Sequence, residues 1–517
     1  MQSSPSRAWF ESRLLILLLI LVAAVPLVMP SVPPLSDLPG HIGRYKIELD
    51  LARSPSLQQW YSFRWALFGN LAVDLLIVPL SHLLPLEAAV KLIVLMIPSL
   101  TVAGMLYLAR EIHGRIPPTA FLALPLAYSF PFQLGFVNFT LAMALAFLGA
   151  GLWLHLGRLN RTKVRAASFA IFSIILFLAH AVAWAIFGVM LFAAELVARR
   201  QRSLALWQAL RDSMMAMLPL ATPVILIVNW AHQDPAGMTV QVPWQLKLYQ
   251  MKEVLRDRIF GFDILSAILL YAIALLGLRQ IGVRYNPRLG LAALLLLIAY
   301  CVTPGVVKGV YYADARILPY ALAVALLALS PVAELKRWHH AIAGAAILLF
   351  AIRMASQTVT YHQLDRHYQE QLAALAHIHR GARVFVAVEA PCNGGWNLPR
   401  TEHLGSLAIA RREAYANGMW PMPGGRLMSI IYDAAGPFKY SSSQILLPEK
   451  CRSEDVETLP GALKKLPREA FDYVWLIDLP PAHWPRTPWL KPVWHAKTGI
   501  LFRIVRNPLT TSAARSD

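Results

Sequence analysis

Apolar runs of about twenty residues, divided by short connections rich in Lys and Arg, fill the chain from residue 14 to 356. Their length and spacing predict helices at 14–30, 88–109, 118–136, 138–157, 166–181, 183–199, 214–230, 261–278, 289–305, 316–335 and 339–356, eleven membrane spans in all. One apolar stretch breaks the count. GNLAVDLLIVPLSHLLPL (69–86) contains Asp74, Pro79, His82 and Pro85, and as a span it would carry the basic AREIHGR to the wrong side, so it is predicted to lie along the outer interface. Beyond residue 356 the pattern changes. HQLDRHYQEQLAALAHIHR (362–380) has helical spacing, while ARVFVAVEA (382–390), FDYVWLID (471–478) and GILFRIVR (499–506) read as strands.

The pattern predicts two domains: a transmembrane part, 1–356, with a large first external loop at 31–87, and a C-terminal α/β domain, 357–517. The fold class is thus a multi-span α-helical membrane protein carrying an extracytoplasmic α/β tail. With 57% hydrophobic and 15% charged residues, the chain is too apolar for an ordinary soluble protein. Its net charge of +19 follows from Lys and Arg gathered between the spans, in RLNRTKVR, RRQRSLALWQALR, RQIGVRYNPR and the pair Lys336 and Arg337. This distribution disfavours nucleic acid as a partner. It places the N-terminus inside and the C-terminus outside, with the first apolar run retained as a helix rather than cleaved as a signal.

Of three cysteines, Cys301 lies in a span while Cys392 and Cys451 both fall in the tail. In an exported tail they either form a disulfide or remain two thiols. No phosphate loop, dinucleotide fingerprint, CxxC pair, HExxH or GxSxG occurs in a usable context, and no cofactor or metal is called for.

Candidate chemistry gathers on the outer face. In PPLSDLPGHIGRYKIELD (33–50), Asp37 stands between Pro33–Pro34 and Pro39, which stiffen the chain around it. It reads either as the cap of a helix or as a general base towards a hydroxyl acceptor. His41 and Arg44 follow on the same helical face, with Arg44 suited to a phosphate or to an ion pair with Glu48. In KGVYYADARILPY (308–320), Lys308 and Arg316 bracket Tyr312 and Asp314, and fixed cations there suit a lipid-linked phosphate; interfacial anchoring is the plainer alternative. His180 sits at an outer turn between apolar helices, and Asn70 and Asp74 share one face of the interfacial stretch. Lys247, Lys252, Arg256 and Arg258 form a basic outer strip.

Taken together, SDLPGH after a first helix, the interfacial GNLAVDLLIVPLSHLLPL, YLAREIHGR, a late YYADARILPY and an α/β tail resemble the bacterial GT-C superfamily of integral membrane glycosyltransferases. The resemblance implies transfer of a sugar from a polyprenyl-phosphate carrier to a lipid, glycan or protein acceptor. The transfer would occur at the outer face of the bacterial cytoplasmic membrane, usually with inversion. It implies Asp37 as general base and Lys308 and Arg316 as phosphate-binding cations. One departure stands out: many members carry a second acidic residue near the start of that loop, where this chain has Leu38. Rival readings are a glycan ligase or polymerase with a polyprenyl-diphosphate donor, which would draw on the strip from Lys247 to Arg258, and a lipid or solute transporter. The transporter is disfavoured because the ionisable residues lie at one face rather than at mid-membrane.

Overall fold

The computed structural model describes residues 8–226, 239–307, 310–332, 337–390, 392, 395–420, 427–448, 451 and 456–506. The chain divides into two compact units. The first comprises 1–33, 66–362 and 423–425; the second comprises 34–65, 363–422 and 426–517. The stretch expected as one external loop, 31–87, is thereby shared between them.

The first unit is helical. Among the described residues six helices are long and apolar enough to cross a membrane: Leu86–His113, Val137–Arg158, Thr162–Ala179, Ala181–Arg200, Phe260–Leu278 and His339–His377. The last passes into the second unit after His362. Large side chains such as Leu14, Ile171 and Leu265 are 77%, 64% and 66% exposed, a surface that water does not favour and an apolar medium does.

Three expected spans take other forms. Residues 118–136 fold as a 3-10 helix, Pro118–Tyr128, and one short turn of α-helix, Phe130–Gln133. Pro118, Pro125 and Pro131 remove the amide donors a long α-helix needs, and Gly135 at φ 88° turns the chain. Every residue of that 3-10 helix is buried, with Tyr128 Oη donating to the Ala23 carbonyl (2.8 Å), so its apolarity serves a protein interior. In place of 316–335 a helix covers Leu318–Ala328 and gives way to a strand, Leu329–Pro331, paired with Val283–Tyr285. Over 214–230, the helix Leu206–Met217 yields to a 3-10 turn at Leu218–Ala221, and the rest of that stretch extends past the described residues. The shorter apolar helices Arg13–Val22 and Pro287–Val302 account for two more of the expected runs. The stretch 69–86 forms the helix Ala72–Leu80, about 14 Å long and too short to cross a bilayer core of about 30 Å.

The second unit is α/β. Among the described residues its main sheet has six strands. Arg383–Glu389 pairs in parallel with Tyr473–Ile477 on one side and with Tyr415–Ala416 and Ile445–Leu446 on the other. Tyr473–Ile477 continues antiparallel to Gly499–Ile504, and that strand to Leu490–His495. The central strand and Tyr473–Ile477 are almost wholly buried, as their unbroken apolar runs require. Cys392 and Cys451 are joined by a disulfide.

The helix Leu38–Asp50 belongs to this second unit. A side chain at Gly40 would come within 2.3 Å of the Trp420 ring, and one at Gly43 within 3.0 Å of the Ser406 carbonyl. These two glycines, one helical turn apart, let the helix seat closely on the tail. A second sheet pairs Tyr61–Phe63 with Met428–Ile430. Lys46 and Arg380 both pair with Glu413, which also accepts from Ser54 Oγ at 2.7 Å.

Candidate acid–base site

Asp37 occupies the N-cap position of Leu38–Asp50, and its carboxylate makes no capping bond. The cap is instead stiffened by Pro39 in the first turn, and the positive end of the helix faces the acid. The side chain keeps 28% exposure, while Leu35, Ser36 and Leu38 around it are buried.

Two residues of RTEHLGS, in the tail, complete the surroundings. His403 Nε2 lies 3.7 Å from Asp37 Oδ1. The other ring nitrogen, Nδ1, is 2.8 Å from the Gly418 carbonyl, the geometry of an N–H donor that fixes the tautomer and turns Nε2 towards the acid. Its neighbour Glu402 has its pKa raised to about 7, first by burial and second by the negative charge of Asp37. A second carboxyl that feels the charge of Asp37 thus comes from the tail rather than from the position after it, Leu38.

His41, one turn along the helix, meets Trp420 edge to face at 5.1 Å, and Trp420 meets His403 at 4.8 Å. Burial holds the His41 pKa well below 6.5, helped by the charges of Arg44 and His403. His41 Nδ1 and the Ser36 hydroxyl are buried without a hydrogen-bond partner among the described residues, which marks them as available to a bound group. Arg44 is buried with its guanidinium 5.0 Å from the Tyr45 ring centre. Arg400 anchors the start of the segment by donating to the Pro34 carbonyl at 2.5 Å.

The remaining candidates belong to the first unit. Asp314 is fully buried, 2.9 Å from Lys247 Nζ, and accepts from Gln250 and from the Ala315 amide. Lys247 donates further to the Tyr300 and Thr303 carbonyls. The expected basic strip is therefore broken: Lys247 is buried in this pair, Arg256 is bound to Glu253, and Lys252 and Arg258 stay exposed. Arg316 stacks on the Phe136 ring at 4.1 Å and donates to the Tyr311 carbonyl at 2.9 Å. Tyr312, at φ 57°, packs edge to face on Phe130. Asp74 is fully buried and accepts from Asn138, which also binds the Asn70 carbonyl and the Val73 amide. His180 caps the helix Ala181–Arg200, its Nδ1 accepting from the Val182 amide. Lys308 lies outside the described residues.

Among the described residues no cluster of three or more His, Cys, Asp or Glu side chains is suited to a metal ion. Glu402, His403 and Trp420 were not singled out from the sequence. The only signal was the adjacent acid and histidine in RTEHLGS. No protein-family model matches the chain, and no curated protein matches it.

Proposed function

We propose that this protein is a membrane glycosyltransferase that moves a sugar from a polyprenyl-phosphate carrier to a hydroxyl of a cell-envelope acceptor, with Asp37 as general base. The single observation that carries the reading is the pairing of Asp37 with Glu402, whose pKa of about 7 keeps a proton on one carboxyl beside the other near neutral pH. Sugar as the transferred group, and the outer face of a bacterial cytoplasmic membrane as the setting, rest on the resemblance of SDLPGH and the helical layout to GT-C enzymes. A multi-span arrangement with the N-terminus inside and the tail outside belongs to the same proposal.

In the reaction Asp37 takes the proton of the acceptor hydroxyl as the oxygen bonds to the anomeric carbon. The bond from that carbon to the phosphate oxygen breaks with its electron pair, and the lipid phosphate leaves. Two ionised carboxylates would repel a phosphate donor. Below about pH 7 Glu402 is protonated, so it adds no second charge and can donate a hydrogen bond. His403, held by the Gly418 carbonyl, orients the acid.

Purified protein supplied with radiolabelled sugars on polyprenyl phosphate tests the reading. Loss of general-base catalysis lowers transfer by roughly 100-fold to 10,000-fold in Asp37→Asn. Equal incorporation by Asp37→Asn and the unaltered protein removes Asp37 as the base. The diphosphate-donor reading loses its main support because two of the four strip residues are already bound to acids.

A further inference from the structure

A cleft of about 710 Å³ opens in the α/β unit and is lined by residues of that unit alone, Asp37, Glu402 and His403 not among them. Its place follows from the sheet. The central strand ends at Glu389, the parallel strand Ile445–Leu446 runs into Leu447, and Tyr473–Ile477 leads to Leu479; all three positions line the cleft. After the central strand the chain builds Tyr415–Ala416 and Ile445–Leu446 on one side, then crosses to build Tyr473–Ile477 on the other. The cleft therefore sits beyond the carboxyl ends of parallel strands, where the strand order reverses, and open α/β sheets bind small molecules at such crevices. Its volume falls within the range of about 300–1,000 Å³ typical of small-molecule sites.

The lining has two characters. Leucines from the helix Leu459–Lys465 and from the strand ends form an apolar floor. Lys464, Arg468 and Arg486 stand on the wall, and none of them forms an ion pair with a carboxylate among the described residues. Arg468 is laid over the Trp489 ring at 4.3 Å, which holds its guanidinium in place. The one acid in the lining, Glu389, is already engaged by His483, 3.2 Å from both oxygens. Three open cations against one occupied carboxylate select an anion, and the leucine floor selects an apolar body.

We infer that this cleft binds a phosphate monoester with an apolar body, the phosphate held by Lys464, Arg468 and Arg486 and the body laid on the leucine floor. The shared chemistry admits a lipid headgroup or a soluble ester. The test uses the full chain in phosphatidylcholine nanodiscs, with 1-naphthyl phosphate as the probe and 1-naphthol and inorganic phosphate as comparisons. Saturable binding of 1-naphthyl phosphate is expected, at least tenfold tighter than either comparison, because each lacks one half of the recognised structure. Lys464→Gln with Arg486→Gln weakens it at least tenfold while leaving the unfolding midpoint unchanged, since both side chains are exposed. Leu463→Trp, which fills the floor, abolishes it. Competition by phosphatidic acid, a lipid whose headgroup is a phosphate monoester, added to the nanodiscs assigns the site to a lipid headgroup, and undiminished binding assigns it to a soluble ester. Binding of 1-naphthol as tight as that of its phosphate, an unaffected double variant, or no saturable binding at millimolar probe overturns the inference.

Discussion

Replacing Glu402 by Gln removes one titrating group while nearly preserving its shape, and the electrostatics of the site make a signed prediction. The folded protein raises the Glu402 pKa from the ordinary 4.5 to about 7, so it prefers the protonated acid more strongly than the unfolded chain does. The preference is satisfied in full below pH 4.5 and is lost as pH rises through about 7. At roughly 1.4 kcal/mol for each tenfold change in proton affinity, that interval is worth about 3 kcal/mol. His41 acts with the opposite sign: its pKa lies well below 6.5, so its contribution is complete above 6.5 and is lost as pH falls. The two trends overlap, and the total stability of the unaltered protein is a poor readout. The difference between variant and unaltered protein cancels His41. Measured by chemical denaturation of the full chain in nanodiscs, Glu402→Gln should gain about 3 kcal/mol relative to the unaltered protein between pH 4.5 and 8. Asp37→Asn should recover only the smaller part of that gain, because burial is the larger cause. Parallel pH profiles for Glu402→Gln and the unaltered protein, within about 0.5 kcal/mol, would refute a raised Glu402 and with it the acid–base pair.

Three further outcomes follow from contacts elsewhere. Gly40→Ala forces a methyl to within 2.3 Å of the Trp420 ring and should cost about 1–3 kcal/mol, with a change in tryptophan fluorescence that Gly40→Ala lacks if the ring is not seated there. Lys247→Met strands the buried Asp314 and should destabilise by about 3–5 kcal/mol, whereas Lys247→Met with Asp314→Leu should recover most of the loss; thermal unfolding of the three variants decides it. Without reductant, alkylation should add one label per chain, at Cys301, and reduction should raise this to three, while Cys451→Ser should cost about 4 kcal/mol from the loop of 59 positions it opens.

The helical character of the first unit was legible because apolar runs must fold their own backbone hydrogen bonds whether lipid or protein surrounds them. Hydropathy could not tell these surroundings apart. Residues 118–136 are as apolar as a span, yet their prolines divide them and their side chains face protein on all sides. The strands at 383–389, 473–477 and 499–504 were legible from continuous apolar runs, while the two-residue strands Tyr415–Ala416 and Ile445–Leu446 leave too short a trace for any periodicity. Asp37 could be chosen from its proline-rich setting. Glu402 and His403 could not, because closeness to Asp37 is created by the seating of Gly40 and Gly43 on the tail, a contact that no local pattern encodes. The Asp314–Lys247 contact was illegible for a related reason: the two residues lie far apart in the sequence, and Lys247 was assigned to a separate strip.

The carboxylates of the second unit sort by what surrounds them, and that sorting separates scaffold from chemistry. Burial pushes the Asp472 pKa up, but Arg383, through its side chain and amide, and Arg506 outweigh it and draw the value down to about 2. Glu413 is likewise lowered against burial by Arg380, Ser54 and Lys46. Both stay ionised throughout the neutral range and act as fixed struts, one tying the central strand to its neighbour and the other tying Lys46 of the Leu38–Asp50 helix to the tail. At Glu402 burial and Asp37 push in the same direction, so this group alone of the three exchanges its proton near pH 7. Ionising Glu402 as pH rises through about 7 costs stability, and the group gives nothing to the sheet. Under the proposed function Glu402 sets the working range of the reaction: transfer should fall as pH rises through about 7, and Glu402→Gln should flatten that limb.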